Sequence, residues 1–347
     1  MDVSLFDFDL PEESIALRPI YPRDHARLMV IHADGRLEHR LVRDLPDYVG
    51  QEDAIVVNDT RVFPARLRGK RIRENGAAAV ELLLHRQIAG DRFLALARPA
   101  KKLNPQDVLV FGDLKGRLIG RQEGQVEIQF EMSGDALRAA IAEQGEIPLP
   151  PYIAGKRPVD ARDSQEYQTM FAQEVGSVAA PTAGLHFTPE LIAALQAKGA
   201  SHERLTLHVG LGTFLPVTAN DTAQHIMHSE YARLDEDTAN RLNLTRQKDG
   251  RILAVGTTTL RTLESAALDK KGIAPFDGET GIFITPGYEF RIVDRLMTNF
   301  HLPRSTLFML VCAFSGIDVM KRAYAEAVRL GYRFYSYGDA CLLIRPR

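Results

Sequence analysis

Seven short strings gather hydrogen-bonding and titratable side chains where an apolar run gives way to a loop. They are NDTR (58–61), PTAGLHF (181–187), LHVGLGTF (207–214), HIMHSE (225–230), VGTTTLRTLE (255–264), TNFHLPRST (298–306) and YSYGD (335–339). Side chains mounted on loops at strand ends are the usual carriers of catalysis and binding. His186, His208, His228 and His301 offer proton transfer near neutral pH, because imidazole titrates closest to it. Gly256-Thr257-Thr258 leads from a strand into a helix N-terminus, whose free amides hold phosphate or carboxylate. Capping by threonine explains the same turn equally well. Taken singly, each histidine also has a structural explanation as a hydrogen-bonded interior group.

Other chemistries find less support. Gly210-Leu211-Gly212 is half of a dinucleotide fingerprint, with Leu215 where the third glycine belongs, and no GxxxxGK[ST] string occurs. No GxSxG elbow is present. Cys312 and Cys341 sit in apolar surroundings and are too few for a disulfide framework or a four-thiolate zinc site. His225 and His228 stand three apart, a ligand spacing if the segment is helical, but no carboxylate-and-histidine set of recognised zinc spacing joins them.

The elements that must position these loops follow from length, charge and periodicity. A chain of 347 residues suggests about two domains. Its 45% apolar and 25% charged residues are those of a folded globular protein. The N-terminus lacks a basic, apolar leader, and the longest apolar run, 307–314, is too short for a membrane span. A cytoplasmic protein is the expectation. Between Pro64 and Glu131, short alternating segments at 64–73, 79–86, 92–98, 107–111, 115–121 and 125–131 are cut by turn signals. They predict a small antiparallel β-barrel or sandwich. This stretch holds 13 Lys/Arg against 8 Asp/Glu, whereas the whole chain has 43 against 45. Arg66, Arg68 and Lys70 alternate along one strand and so share a face that can track a phosphate backbone; a solvated barrel exterior is the plainer reading.

Elsewhere helices and strands mix. Helices are expected from Thr188 to Gly199, from Thr258 to Lys270 and from Ile317 to Leu330, and buried strands at 54–58, 204–209, 252–255, 281–285, 307–313 and 341–344. Strands before and after the basic stretch share one sheet in this reading. The fold class is therefore mixed α/β: a discontinuous larger domain, 1–62 and 150–347, with a large mixed sheet, and an inserted basic barrel, 63–149.

Together with Phe6-Asp7-Phe8-Asp9-Leu10-Pro11, the strings NDTRVFPARL (58–67), PTAGLHF, LHVGLGTF, HIMHSE, VGTTTLRTLES (255–265), TNFHLPRSTL (298–307) and YSYGDACL (335–342) closely resemble the S-adenosylmethionine:tRNA ribosyltransferase-isomerases of queuosine biosynthesis. The likeness runs in order along the whole chain. It implies a mixed α/β domain with an inserted β-barrel. It also implies transfer and isomerisation of the ribosyl group of S-adenosylmethionine onto the 7-aminomethyl-7-deazaguanine wobble base of tRNA, giving epoxyqueuosine, adenine and methionine. S-adenosylmethionine is then a consumed co-substrate; the reaction demands no metal or other cofactor, and a monomer is expected.

Such chemistry needs a base for the sugar carbon next to the sulfonium, an acid for the departing adenine and a neutral attacking amine. His186 and His208 are the leading base and acid candidates. Asp59, Glu230 and Asp339 orient them or offset the sulfonium charge. Tyr337 or Phe214 faces the cation. Arg61, Arg261 or Arg304 holds the methionine carboxylate, and Thr182, Thr257 and Thr258 bond ribose or carboxylate oxygens. Asn58, Gly184, Thr213, His228, Asn299 and His301, from the same strings, complete the expected pocket. Arg66, Arg68, Lys70 and Arg304 are the expected tRNA contacts. Two other readings stay open: a metal-dependent hydrolase of a nucleotide-like substrate, suggested by the His225/His228 pair, and a non-catalytic RNA-binding protein, suggested by the basic barrel.

Overall fold

Successive residues of the strand Ala54–Asn58 serve two different cores. Ala54 and Val56 pack with Leu260, Leu263, Phe308 and Met309, whereas Ile55 and Val57 pack with Leu45, Leu191 and Leu195. Arg27–Ile31, Ile252–Val255 and Ala340–Ile344 divide in the same way. A sheet covered on both faces has no polar face to alternate with, which is why its inner strands read as plain apolar runs. The computed structural model describes residues 1–74, 76–122, 124–210, 212, 217–268 and 272–346.

From edge to edge the nine-stranded sheet runs Phe276–Thr280, Glu230–Leu234, Ser201–Leu207, Ala54–Asn58, Ile252–Val255, Arg295–Asn299, Ala340–Ile344, Arg27–Ile31 and Leu37–Leu41. The four strands from Ser201–Leu207 to Arg295–Asn299 are mutually parallel, so their C-terminal ends share one edge. Glu230–Leu234 and Ala340–Ile344 pair antiparallel on either side, so both begin at that same edge. In open α/β sheets this is where ligand sites form.

The sheet, its covering helices and the segment Gln168–Glu174 make up one compact unit, Met1–Thr60, Gln168–Glu174 and Pro181–Arg347. Thr188 caps the Pro189–Ala197 helix by accepting from Leu191 N at 3.1 Å. The Ile317–Arg329 helix buries Met320, Ala323, Tyr324 and Ala327 along one stripe. The Thr257–Ser265 helix is shorter than the expected 258–270; a small hairpin of Ala267–Leu268 with Gly272–Ile273 follows it, and Asp269 and Lys270 lie outside the described residues.

Two expected strands are corrected. Residues 307–313 lie in a helix, Thr306–Ser315, begun by Ser305, whose hydroxyl accepts from Phe308 N at 3.1 Å. A short apolar run suits either state; here the cap decides, and the helix is buried nearly all round. Residues 281–285 form no strand: the edge strand is Phe276–Thr280, whose Asp277 and Glu279 are exposed, while Ile284 tucks into the core from irregular chain.

The second unit comprises Arg61–Tyr167 with Val175–Ala180. Strands Arg66–Arg73, Gly76–Ala89, Arg92–Arg98, Gln125–Phe130, Leu114–Gln122 and Val108–Phe111 pair antiparallel in that order. The last then pairs back onto the first, through Lys70 with Val110, closing a six-stranded barrel. Leu67, Leu82, Leu84, Ala95, Leu118, Val126 and Ile128 are buried, as alternation requires. Gly69 stands at the closing seam, where a Cβ would lie 2.1 Å from the Val110 carbonyl oxygen, so the two strands meet only over a glycine. This unit runs past residue 149. Beyond it, Pro150 caps the short Pro151–Ala154 helix, and Arg157 clamps Asp163 bidentately at 2.8 and 2.6 Å. Among the described residues no helix is long and apolar enough to cross a membrane.

Candidate functional site

Residues from all seven polar strings stand at the shared strand edge of the larger unit. Asn58 ends its strand there, and both ends of its amide are used. Its Oδ1 accepts from Thr60 N at 3.0 Å and Leu207 N at 3.1 Å; its Nδ2 donates to the Leu207 carbonyl at 3.0 Å and to Thr258 Oγ1 at 3.3 Å. One buried amide thus ties the 58–60 turn, the end of the Ser201–Leu207 strand and the first turn of the Thr257–Ser265 helix. Gly256, with φ +95°, makes the sharp entry into that helix, a conformation that side chains other than hydrogen resist.

His208, half-buried just beyond the strand end, shares a 2.8 Å hydrogen bond between Nδ1 and Thr60 Oγ1 and stacks on Tyr231 with ring centroids 5.8 Å apart. Burial holds its pKa below the ordinary 6.5, against an opposing pull from Glu174. It is therefore a neutral imidazole at pH 7. Asp59 is buried and accepts from Thr206 Oγ1 at 2.7 Å; burial raises its pKa, and nearby Glu174 adds to the rise.

His186 lies in the buried turn Thr182–His186, which also holds Gly184. Thr182 Oγ1 donates to Asn299 Oδ1 at 2.9 Å, and this fixes the amide so that Asn299 Nδ2 meets His186 Nε2 at 3.2 Å. The ring also bonds the Arg23 backbone. Burial, with Arg23 and Arg333 as neighbouring cations, pushes its pKa down to about 4. The ring is thus held by two protein partners, Asn299 and the Arg23 backbone.

Charged groups at the edge are largely satisfied. Glu230 accepts from Gly210 N at 3.0 Å and from Arg261 Nη1, and both side chains are buried. Arg261 also donates to the Ile282 carbonyl at 3.2 Å. Asp339 accepts from the backbone amides of Arg27 and Arg333 at 2.9 and 2.8 Å, pinning the 335–339 turn to the start of a neighbouring strand. Tyr337 is buried, with the Arg23 guanidinium 5.9 Å from its ring centroid. His301 is buried and bonded through Nε2 to Thr298 Oγ1 at 3.0 Å, and burial lowers its pKa to about 3. Thr257 is buried in the same helix turn as Thr258.

Other expected residues are not brought to this edge. Arg304 is exposed with φ +55°, its amide donating to the Phe6 carbonyl and its Nη1 3.9 Å from Asp7. His225 and His228 lie on irregular chain before Glu230, so the helical ligand spacing does not arise; His225 packs edge-on against Phe283, and His228 is exposed. Among the described residues no group of three or more His, Cys, Asp or Glu is placed to hold a metal ion. Arg61, Arg66, Arg68 and Lys70 belong to the barrel unit; Arg68 stands 3.3 Å from Glu81 and 3.6 Å from Glu146, which leaves Lys70 as the barer cation of that face. Thr213 and Phe214 lie outside the described residues. Sequence reasoning passed over Thr60 and Thr206. Thr60 sits inside the NDTR string, and Thr206 is two residues before His208 on an alternating strand; both were visible as polar residues in apolar text.

A family model described as "Queuosine biosynthesis protein" matches residues 3–343. The chain is 57% identical to a Bradyrhizobium protein named S-adenosylmethionine:tRNA ribosyltransferase-isomerase, over 99% of this chain and 98% of that one. A protein of the same name from Methylobacterium radiotolerans is also 57% identical, with the same coverage. A crystal structure of S-adenosylmethionine tRNA ribosyltransferase from Thermotoga maritima is 38% identical, with 98% of this chain and 100% of that chain covered and a TM-score of 0.57. With the family model spanning nearly every residue that builds the strand edge, the chain belongs to the queuosine biosynthesis protein family.

Proposed function

We propose that this protein is an S-adenosylmethionine:tRNA ribosyltransferase-isomerase. It transfers and isomerises the ribosyl group of S-adenosylmethionine onto the 7-aminomethyl-7-deazaguanine wobble base of tRNA and releases adenine and methionine. The observation that carries this reading is the meeting of His208, Asn58, Thr258, Glu230, His186 and Asn299 at one strand edge in a chain 57% identical to enzymes of that name.

The sulfonium acidifies the ribose 5′ carbon, and His208, neutral at pH 7 and partly open to solvent, takes a proton there. Adenine leaves as the neutral base once a proton reaches its ring nitrogen, for which buried Asp59, with its raised pKa, is the candidate acid. Methionine departs as a neutral thioether and needs no acid. The Thr182–Asn299–His186 chain shapes the pocket wall, and Thr257 and Thr258 bond ribose or carboxylate oxygens. Glu230, paired with Arg261, sets the loop that starts at Gly210. Asp339 fixes the 335–339 turn.

S-adenosylmethionine is consumed as co-substrate, and turnover proceeds without an added metal. The larger unit carries the chemistry; the basic barrel, through the face of Arg66, Arg68 and Lys70, engages tRNA. The protein works as a monomer in the cytoplasm, where its tRNA is. The direct test is incubation with S-adenosylmethionine and tRNA bearing the aminomethyl-deazaguanine, followed by chromatography. Free adenine and the modified nucleoside in equal amounts are expected; adenine release that ignores the tRNA would sink the reading.

A further inference from the structure

Thr60 is wholly buried, and its hydroxyl stands between two groups. His208 Nδ1 is 2.8 Å away on one side and the Glu174 carbonyl oxygen 3.5 Å away on the other. Its backbone is pinned by Asn58 Oδ1, which accepts from Thr60 N. The histidine is restrained as well, by the stack on Tyr231 and by its own amide donating to the Tyr231 carbonyl at 2.9 Å. A carbonyl can only accept. A threonine hydroxyl that donates to it must receive its second hydrogen bond from the imidazole.

We propose that Thr60 is a positioning residue that holds His208 as the Nδ1–H tautomer and leaves Nε2 as the proton acceptor of the site. The hydrogen-bond order is His208 Nδ1–H to Thr60 Oγ1, then Thr60 O–H to the Glu174 carbonyl. Among the described residues Nε2 has no protein partner, unlike the Nε2 of His186, which Asn299 occupies. The partner of one ring nitrogen decides which nitrogen carries the proton. Here a neutral hydroxyl backed by a carbonyl does what a carboxylate does for the base in a hydrolase triad. When Nε2 takes a proton from substrate carbon, the Nδ1–H bond is kept and becomes charge-assisted, so nothing in the site must rearrange.

The inference rests on the transferase reading of the site, and its test separates the two. Wild-type protein labelled with ¹⁵N-histidine, with the His208 signal assigned by its loss in His208→Gln, is expected to show the Nδ1–H form. Thr60→Val, which keeps the side-chain shape without the hydroxyl, is expected to shift His208 toward the other tautomer. It should lower kcat for adenine release about 10- to 100-fold, with KM for S-adenosylmethionine nearly unchanged. Thr60→Ser is expected to restore both spectrum and kcat. An Nε2–H form in the wild type, or wild-type kcat in Thr60→Val, overturns the proposal. Should Thr60→Val fail to fold, the wild-type spectrum together with Thr60→Ser still decides it. Should no adenine appear from any variant, the transferase reading fails while the spectrum continues to report on Thr60.

Discussion

Glu230 and Arg261 neutralise each other inside the protein, where the carboxylate takes one bond from the guanidinium and another from Gly210 N. An ion pair out of water persists only if each member is satisfied, and removing one partner leaves an uncompensated charge that costs roughly 3–5 kcal/mol. Glu230→Ala and Arg261→Met are each expected to lose about that much in chemical denaturation. The double variant should lose less than the sum, because neither buried charge remains. Strict additivity would mean that the two do not depend on each other.

His186 gives the protein an acid-sensitive limb of stability. Its pKa falls from 6.5 to about 4 on folding, so between those values the unfolded chain binds a proton that the native state refuses. Stability therefore falls as pH drops through this window, by at most about 1.4 kcal/mol per pH unit for this group. His301, lowered to about 3, adds a second contribution with the same sign. His186→Gln is expected to be less sensitive to acid between pH 6.5 and 4 in urea titrations; an unchanged slope would assign the limb to other groups.

Much of this arrangement was legible in the residues themselves. The strings at 58–61, 181–187 and 255–264 announced the strand edge, because polar side chains in apolar text must find partners when buried. Six alternating segments and their turns announced a small barrel or sandwich, and the pairing of Lys70 with Val110 makes it a barrel. Three things were not legible, for physical reasons. The run at 307–313 carries no period that separates helix from strand, and only the Ser305 cap settles it. His225 and His228 suggested a metal only on the assumption of helix, whereas the segment is irregular chain with His225 set edge-on against Phe283. Which histidine keeps an open nitrogen depended on Asn299 and Thr60, residues far from His186 and His208 in sequence but beside them in space.

The difference between the two histidines predicts unequal kinetics. His208→Ala is expected to reduce adenine release about 100-fold or more, the usual cost of losing a general base. His186→Ala removes a buried ring whose Nε2 is already taken by Asn299, so its effect should be smaller in kcat. For the wild type, kcat/KM should rise with pH along a limb set below the ordinary histidine value, since burial lowers the His208 pKa. Loss of that limb in His208→Ala, and its retention in His186→Gln, is the expected pattern in pH–rate profiles. The reverse pattern would exchange their roles.

The barrel supplies the last prediction. Its basic stretch carries 13 Lys/Arg against 8 Asp/Glu in a chain that is slightly acidic overall, so the proposed tRNA binding is expected to draw on a local face. Arg68 is partly offset by Glu81 and Glu146, whereas Lys70 is exposed on the same face. Single reversals are therefore expected to differ: Lys70→Glu should weaken tRNA binding more than Arg68→Glu, which alters a site already half neutralised. Reversing Arg66, Arg68 and Lys70 together should weaken tRNA binding severalfold or more and leave S-adenosylmethionine binding nearly intact. The slope of log affinity against log salt should also become shallower by about 0.9 for each phosphate that the variant no longer neutralises. Filter binding over a salt series reads both quantities. A triple variant with an unchanged slope would move the tRNA footprint off this face.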